Sequence, residues 1–447
     1  MTNALKQLWK TENVRVIFKF QSCMEHKTDN TYLDMELLRF TTAGSVDDGK
    51  STLIGRLLYD SKSIFEDQLE AVQKASQQKG DRYLDLALFT DGLRSERQQG
   101  ITIDVAYRYF NTPKRKFIIA DTPGHIQYTR NMVTGASTAN AAVILVDARN
   151  GITEQTLRHY YIAYLLGIRS IIVCVNKMDL VSYSSDTYFR IQDELQRANQ
   201  KFPVSQIYFI PISALKGDNV VEPSSNMPWY TGPTLRQTLE TIPIYNHSHQ
   251  GPLRIPVQYV IRPLSEEFHD YRGYAGRIES GTIHKGDKIL ILPSGIQTEI
   301  TSIHLGQSFL EEAYAPLSIS LTLKDDLDLD RGDFICHADQ PPQISSTIEA
   351  MICWFNALPM QVNHLYTIRQ STWEAKCKIV NQYYKLNFHS LTEEENQEPL
   401  KMNEIGRFIL KTSRPMVFDS YRLIRSTGSF ILIDDNTNET VGAGMIQ

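Results

Sequence analysis

The chain has 447 residues, of which 46 are basic and 51 acidic, giving a formal net charge of −5. At about 150 residues per domain this length predicts two to four domains, and the nearly balanced charge argues against binding of nucleic acid or an anionic membrane by bulk electrostatics. The five dispersed cysteines argue against a disulfide framework or a zinc site, and no apolar run near the start is long enough for a signal peptide or membrane span, so we expect a soluble, cytoplasmic protein.

An α/β domain is predicted for residues 37–245. It follows an N-terminal extension at 1–36, in which apolar residues show no sustained periodicity. Strand-like apolar runs lie at 37–40, 117–120, 141–146, 171–175 and 207–210, and helix-like segments lie at 52–58, 153–166 and 186–201. Apolar runs without alternation are typical of parallel strands that are buried on both faces. The region therefore predicts a doubly wound, mostly parallel sheet covered by helices.

Two all-β barrel domains are predicted for residues 250–342 and 345–447, where short alternating segments are separated by turns. In the first of these, Ile255, Val257, Tyr259 and Ile261 are predicted to share one strand face, and residues 288–292 form another strand. In the second, the clearest predicted strands are residues 348–354 and 429–433.

A phosphate-binding loop is predicted between the first strand and the first helix, because two glycines four residues apart precede Lys50 and Ser51. Such a loop curls so that its N–H groups point inward, the lysine contacts the outer phosphates and the serine hydroxyl binds Mg²⁺. The positive N-terminal end of the helix would face the anion. The predicted binding residues are Gly44, Ser45, Val46, Asp47, Asp48, Gly49, Lys50, Ser51 and Thr52.

A second carboxylate for the metal follows the strand at 117–120. Asp121 would lie at the carboxyl end of this strand and reach Mg²⁺ through water. The three residues after Asp121, which are Thr122, Pro123 and Gly124, are also predicted to bind the nucleotide, with the Gly124 N–H directed at the γ-phosphate. Thr102 is a candidate second hydroxyl ligand on a segment ordered by that phosphate, although it also fits an ordinary strand residue. The predicted metal ligands are therefore Ser51, Thr102 and Asp121.

His125 follows this run directly and is the predicted catalytic residue. A histidine in such a loop can orient the water that attacks the γ-phosphate, since this reaction depends mostly on positioning. The alternative is a surface imidazole without a role. No catalytic arginine can be identified from the sequence.

Guanine recognition is predicted from Asn176, Lys177, Met178 and Asp179, which follow the strand at 171–175. The Asp179 carboxylate can accept hydrogen bonds from guanine N1–H and the exocyclic amine. Adenine has no such pair of donors and would leave the carboxylate unpaired, a mismatch that discriminates by roughly 10⁴. Backbone N–H groups of Ser213, Ala214 and Leu215 are predicted to meet the guanine carbonyl, so the site is predicted to bind GTP with Mg²⁺.

The chain resembles the translation-factor class of GTPases, which includes elongation factor Tu, at residues 121–125, 131–132 and 134–136. Longer runs resemble the large GTP-binding subunit of bacterial sulfate adenylyltransferase. These runs are residues 39–58, 65–68, 100–110, 227–230, 272–276 and 441–445. This resemblance covers roughly residues 37–447, and residues 1–36 match no motif of that family.

The resemblance implies a role in the first step of sulfate assimilation. It implies a heterodimer in which a smaller, ATP-binding catalytic subunit transfers an adenylyl group from ATP to sulfate, while this subunit hydrolyses GTP to drive the transfer. A translation-type GTPase acting on the ribosome is the alternative. A GTP-binding scaffold without turnover is disfavoured by the presence of Lys50, Thr102, Asp121 and His125.

Overall fold

The computed structural model describes residues 35–61, 86, 104–125, 129–244, 249–263, 271–388, 392–395 and 398–447. Contacts divide the chain into two compact units. One contains His247–Ile344 and Ser371–Trp373, and the other contains Glu36–Asn246, Ser345–Gln370 and Glu374–Gln447. The predicted extension at 1–36 falls almost wholly outside the described residues, as does Thr102. The domain boundaries given by the sequence stay predictions.

The α/β domain is built on a six-stranded sheet. Its strands are β1 Leu37–Ala43, β2 Ala106–Asn111, β3 Lys116–Asp121, β4 Ala141–Asp147, β5 Ser170–Asn176 and β6 Gln206–Pro211. They lie in the order β2-β3-β1-β4-β5-β6, with only β2 antiparallel to its neighbour. Every residue of β4 and β5 is buried, which confirms the predicted parallel sheet with two covered faces.

Five helices of the described residues accompany this sheet: α1 Lys50–Asp60, α2 Thr129–Ser137, α3 Glu154–Leu165, α4 Ser185–Lys201 and α5 Leu235–Thr241. Hydroxyl side chains cap three of their N-termini: Thr153 on α3, Ser184 on α4 and Thr234 on α5. Gly167 ends α3 with a left-handed φ of 66°. Within the described part of the chain, no helix combines the length and apolarity that a membrane crossing requires.

The helices cover the sheet from both sides and create two apolar layers. On one side, Leu53 and Leu57 of α1 pack with Phe40 and Phe117 of the sheet. On the other side, Tyr160 of α3 and the apolar residues of α4 pack with β4 and β5. The carboxyl ends of the parallel strands remain at one edge of the sheet, where ligands bind in open α/β folds.

The middle barrel has strands β7 Ile255–Ile261, β8 Gly273–Arg277, β9 Thr282–His284, β10 Lys288–Leu292, β11 Ile296–Leu305, β12 Ser308–Leu310, β13 Glu312–Tyr314, β14 Ser318–Leu323 and β15 Phe334–His337. Six of them close in the order β10-β15-β7-β8-β14-β11, since β11 pairs again with β10. Aliphatic side chains fill the interior. Closure leaves no free edge among these six strands.

The predicted alternation along β7 is wrong from Tyr259 onward, since Val260 rather than Ile261 packs against the barrel core. Ile255 and Val257 are buried, but the Tyr259 side chain is 67% exposed. The pairing of β7 with β8 shifts between Val257 and Tyr259, as in a β-bulge. An extra residue in one strand turns the following side chains to the opposite face, so Tyr259 leaves the barrel interior.

The C-terminal barrel has strands β16 Gln343–Trp354, β17 Leu365–Gln370, β18 Trp373–Asn387, β19 Thr392–Glu394, β20 Ile405–Phe418, β21 Ser429–Asp434 and β22 Thr440–Ile446. Six strands close in the order β17-β21-β22-β16-β20-β18, and β17 pairs with β18. The predicted fold class, an α/β domain followed by two β-barrels, is therefore confirmed.

The C-terminal barrel packs against the end of α3 within the same compact unit. Arg425 donates to the carbonyl of Gly167 and, at 3.2 Å, to that of Ala139. Tyr421 Oη donates to the Leu166 carbonyl at 3.3 Å. These contacts satisfy backbone oxygens that a helix C-terminus leaves without intrahelical partners. The barrel thus contacts the C-terminal end of α3, and Oγ1 of Thr153, the N-cap of the same helix, lies 3.1 Å from Oγ of Ser45 in the predicted phosphate loop.

Candidate functional site

The predicted phosphate loop links β1 to α1, and its backbone adopts conformations that select particular residues. Asp47 has a left-handed φ of 66°, which aspartate tolerates better than most residues. Gly49 has a φ of 94°, and a Cβ atom there would lie 2.5 Å from Nδ2 of Asn176. Only glycine fits this position. The loop therefore has the tight curl that a phosphate cradle requires.

Lys50 lies at the start of α1 and points back across the loop. Its Nζ donates to the carbonyls of Gly44 at 2.9 Å and Ser45 at 3.0 Å. Burial lowers the pKa of the Lys50 ammonium, and the carboxylates of Asp121 and Asp48 oppose this shift. A buried cation surrounded by carbonyls and carboxylates is positioned to meet anionic oxygens at the loop.

The Asp48 carboxylate holds the loop from within. Its Oδ2 accepts a hydrogen bond from the Ser45 N–H at 2.6 Å, and the side chain is buried. Burial raises the pKa of Asp48, whereas the Ser45 N–H and the Lys50 charge act in the opposite direction. The sequence alone predicts Asp48 as a residue of the phosphate loop without a role for its side chain. In the structure, this carboxylate binds the Ser45 N–H and so closes the loop.

The Asp121–Gly124 segment lies against this loop. Thr42 Oγ1 donates to Asp121 Oδ1 at 3.2 Å, and Thr122 Oγ1 donates to the Thr42 carbonyl at 2.5 Å. A Cβ atom on Gly124 would lie 2.3 Å from Lys50 Nζ, so the glycine backbone approaches the lysine closely. The structure thus brings this predicted segment together with the phosphate loop.

Oxygen ligands suited to Mg²⁺ are present at this edge of the sheet. Ser51 lies in the first turn of α1, and Asp121 ends β3. Hydroxyl and carboxylate oxygens are the ligands that Mg²⁺ prefers, and a narrow cradle of glycine backbone suits a nucleotide phosphate. The residues present therefore fit both groups. Thr102, the third predicted ligand, lies outside the described residues, and His125 is half-buried beside Gly124.

Asn176 joins the phosphate loop to residues 213–215, which we call the base loop because they are predicted to meet guanine. Its Nδ2 donates to the Asp48 carbonyl at 2.7 Å, and its Oδ1 accepts from the Ala214 N–H at 2.9 Å. Both bonds are buried. The Ala214 N–H is therefore engaged by Asn176, and a guanine carbonyl would share it or use the neighbouring N–H of Leu215.

Asp179 stands in a short 3-10 helix, Met178–Val181, that follows β5. The Ser213 hydroxyl donates to Asp179 Oδ1 at 2.7 Å and accepts the Lys216 N–H at 3.2 Å. The Ser213 hydroxyl thus joins the segment of Asp179 to the base loop, more than 30 residues away in sequence. One carboxylate oxygen of Asp179 therefore has a fixed partner. The Met178 side chain is fully buried and packs in the apolar layer, and the part of Met178 in guanine recognition stays a prediction.

Lys177 is oriented by a carboxylate that the sequence analysis missed. Its Nζ lies 2.9 Å from Asp147 Oδ2 and also donates to the Asp47 carbonyl. Burial would raise the pKa of Asp147, but hydrogen bonds from Arg149 and Lys177 outweigh it and lower the pKa to about 2. Asp147 is therefore ionised at neutral pH and fixes the lysine that borders the phosphate loop.

Comparisons with known proteins agree with this geometry. Residues 35–266 match the family model described as Elongation factor Tu GTP binding domain, residues 274–336 match Elongation factor Tu domain 2, and residues 347–447 match GTP-eEF1A C-terminal domain-like. Sulfate adenylyltransferase subunit 1 of Bacteroides fragilis is 48% identical over 92% of this chain and 86% of the relative. The Aeromonas hydrophila protein of that name is 49% identical over 92% and 86%. The chain belongs to the sulfate adenylyltransferase subunit 1 family.

A further relative is the Bifunctional enzyme CysN/CysC of Mycobacterium tuberculosis, which is 50% identical over 92% of this chain and 67% of the relative. The bifunctional relative is thus longer than the matched region. This member of the subunit 1 family has an α/β domain of the elongation factor Tu type followed by two six-stranded barrels.

Sequence reasoning missed several side chains that shape the site of this family member. Arg56 of α1 donates to the carbonyls of Ala214 at 3.2 Å and Leu215 at 2.6 Å, and so supports the base loop. Asp147 could have been found, because it ends a buried strand just as Asp121 does. Arg56 carried no comparable signal, since a charged residue on a helix is usually solvated.

An Asn176→Ala variant is expected to weaken GTP binding by about 10-fold or more and to lower the melting temperature. The change leaves the Asp48 carbonyl and the Ala214 N–H as buried groups without their partner, each of which destabilises by about 1–3 kcal/mol. Isothermal titration with GTP and thermal unfolding would measure both effects. Asn436→Ala, at an exposed position of the C-terminal barrel, is the control. Unchanged affinity would contradict the joining role of Asn176.

Proposed function

We propose that this chain is the GTPase subunit of a sulfate adenylyltransferase. In this proposal, GTP hydrolysis at the described site drives adenylyl transfer from ATP to sulfate, catalysed by a smaller partner subunit, giving adenosine 5′-phosphosulfate and diphosphate. The single observation that carries the proposal is the 48–49% identity to subunit 1 relatives over 92% of this chain. The geometry of the site adds support, because the phosphate loop, the Asp121–Gly124 segment and the base loop meet at one edge of the sheet.

The two reactions need coupling for a physical reason. A phosphosulfate anhydride lies well uphill of the phosphoanhydride that is broken, so adenylyl transfer by itself gives little product. Hydrolysis of a second nucleotide can supply the missing free energy only if the two subunits pass together through conformations that bind the ligands differently. The cysteines among the described residues form no disulfide, which suits the reducing cytoplasm that we propose for this protein.

Each part of the nucleotide site has a proposed role. Ser51 and Asp121, together with Thr102, would hold Mg²⁺, which when bound neutralises charge on the phosphates. Lys50 and the loop N–H groups would bind the outer phosphates, and the Gly124 N–H would meet the γ-phosphate. His125 would orient the attacking water. Asp179 would select guanine.

We expect the chain alone to form no adenosine 5′-phosphosulfate. The one nucleotide site predicted from the sequence is assigned to guanine, so adenylyl chemistry requires the partner. Sulfate-dependent diphosphate release should be measured with this chain, with the partner and with both, each with and without GTP. GTP should raise release by the pair, and ATP with sulfate should raise GTP hydrolysis, because coupling is reciprocal.

Two outcomes would contradict this proposal. They are sulfate-dependent release by this chain alone, and no effect of GTP on the pair. Lys50→Ala in the pair is a useful control, since it should remove the GTP effect while leaving the partner's own slow reaction. Stimulation of GTP hydrolysis by ribosomes rather than by the partner would instead favour the translation-type alternative.

A further inference from the structure

The first turn of α3 reaches the segment that carries Gly124 and His125. Gln155 follows the N-cap Thr153 by two residues, and its Nε2 lies 3.2 Å from the Gly124 carbonyl oxygen. The same Nε2 lies 2.9 Å from Nε2 of His159, one helical turn further along α3. One side-chain amide therefore spans two fixed groups.

Chemistry fixes the orientation of this amide. The Gly124 carbonyl only accepts hydrogen bonds, so the NH₂ group of Gln155 must face it. The His159 ring is buried, and burial, followed by the charges of Lys50 and Arg158, lowers its pKa to about 3. The ring is neutral near pH 7, so its Nε2 accepts the second amide hydrogen of Gln155.

The other nitrogen of His159 shows that this histidine does not serve packing alone. In the tautomer that accepts from Gln155, Nδ1 carries the ring proton, and Nδ1 has no hydrogen-bond partner among the described residues. A buried donor without a partner destabilises a fold, and a leucine of similar size would avoid this loss. The acceptor that the ring offers to Gln155 explains a histidine at this position.

We propose that Gln155, oriented by His159, is a positioning residue for GTP hydrolysis. The Gly124 carbonyl belongs to the peptide bond that joins Gly124 to His125, so the hydrogen bond from Gln155 fixes the plane of that peptide. The position of the His125 backbone follows from it. This inference rests on the proposed function, in which the His125 imidazole orients the attacking water. A small displacement of such a group slows a reaction that depends on positioning.

The test uses the whole 447-residue chain and two neutral substitutions. Gln155→Met keeps the length of the side chain but donates no hydrogen bond, and His159→Leu removes the acceptor that orients Gln155. Each should slow single-turnover GTP hydrolysis by about 10-fold, the effect of one lost hydrogen bond. The Kd for a fluorescent GTP analogue should change by less than about 3-fold, because the phosphate and base contacts remain. Gln196→Met, at an exposed position of α4, is the matched control.

A double-mutant cycle separates the inference from the proposed function. If Gln155 acts through His125, then Gln155→Met should have no further effect in a His125→Ala background. Additive losses, or normal hydrolysis in Gln155→Met when His125→Ala is slow, overturn the inference and leave the proposed function standing. Equal losses of affinity and hydrolysis in Gln155→Met also overturn it, by assigning Gln155 a structural role. Normal hydrolysis in His125→Ala overturns the inference and the water-orienting role of His125, whereas GTP-driven adenylyl transfer is tested separately by diphosphate release from the pair.

Discussion

An Asp179→Asn variant is expected to lose its preference for GTP and to bind xanthosine triphosphate instead. Asparagine keeps an oxygen that can accept from the Ser213 hydroxyl, the partner of Asp179 Oδ1 at 2.7 Å, so the local fold should survive. Its amide then presents a donor to the base, where guanine has donors and xanthine has a second carbonyl. The ratio of the two affinities should change by roughly 10⁴, as expected when a polar site faces a mismatched partner.

Competition of GTP and xanthosine triphosphate against a fluorescent nucleotide would measure this change. Asp193→Asn removes a carboxylate from an exposed position of α4 and controls for the loss of charge. The variant also offers a test of coupling, because adenylyl transfer by the reconstituted pair should then respond to xanthosine triphosphate. Full retention of GTP selectivity would count against Asp179 as the residue that recognises the base.

A His125→Ala variant is expected to bind GTP nearly normally but to hydrolyse it at least ~10²-fold more slowly, the usual effect of removing a positioned catalytic group. His125 is half-buried and follows Gly124, whose backbone lies against Lys50. Truncation removes the imidazole but no residue of the phosphate loop. The variant should therefore keep its affinity for GTP while its rate of GTP hydrolysis falls.

Single-turnover hydrolysis and the Kd for GTP, measured on the same preparations, provide the comparison. His125→Gln should retain part of the rate, since glutamine can also orient a water molecule. His249→Ala, at an exposed position outside the α/β domain, should change neither quantity. If affinity and turnover fall together in His125→Ala, the side chain has a structural role and the proposed assignment fails.

The amino-acid sequence determined the fold class and the order of the elements, because both follow from local patterns. Continuous apolar runs marked β4 and β5, which are buried at every residue. The cap Thr153 and the terminal Gly167 bound α3 near the predicted ends of 153 and 166. The spacing of Gly44, Gly49 and Lys50 likewise predicted a curled loop, and the left-handed φ of Gly49 shows why glycine stands there. Each of these features depends on neighbours within a few residues.

Only the tertiary structure decided which distant side chains support the site. Arg56 contacts the base loop across 158 residues of sequence, and Asn176 reaches the phosphate loop across 128. The bulge that turns Tyr259 outward depends on the pairing of β7 with β8, which alternation along one strand cannot reveal. Gln155 and His159 likewise have a typical helical spacing in the sequence. Their proposed positioning role follows only from the hydrogen bond that Gln155 makes to the Gly124 carbonyl in the structure. Hydrogen bonds and buried charges of this kind are set by how strands and helices pack, and no local pattern encodes them.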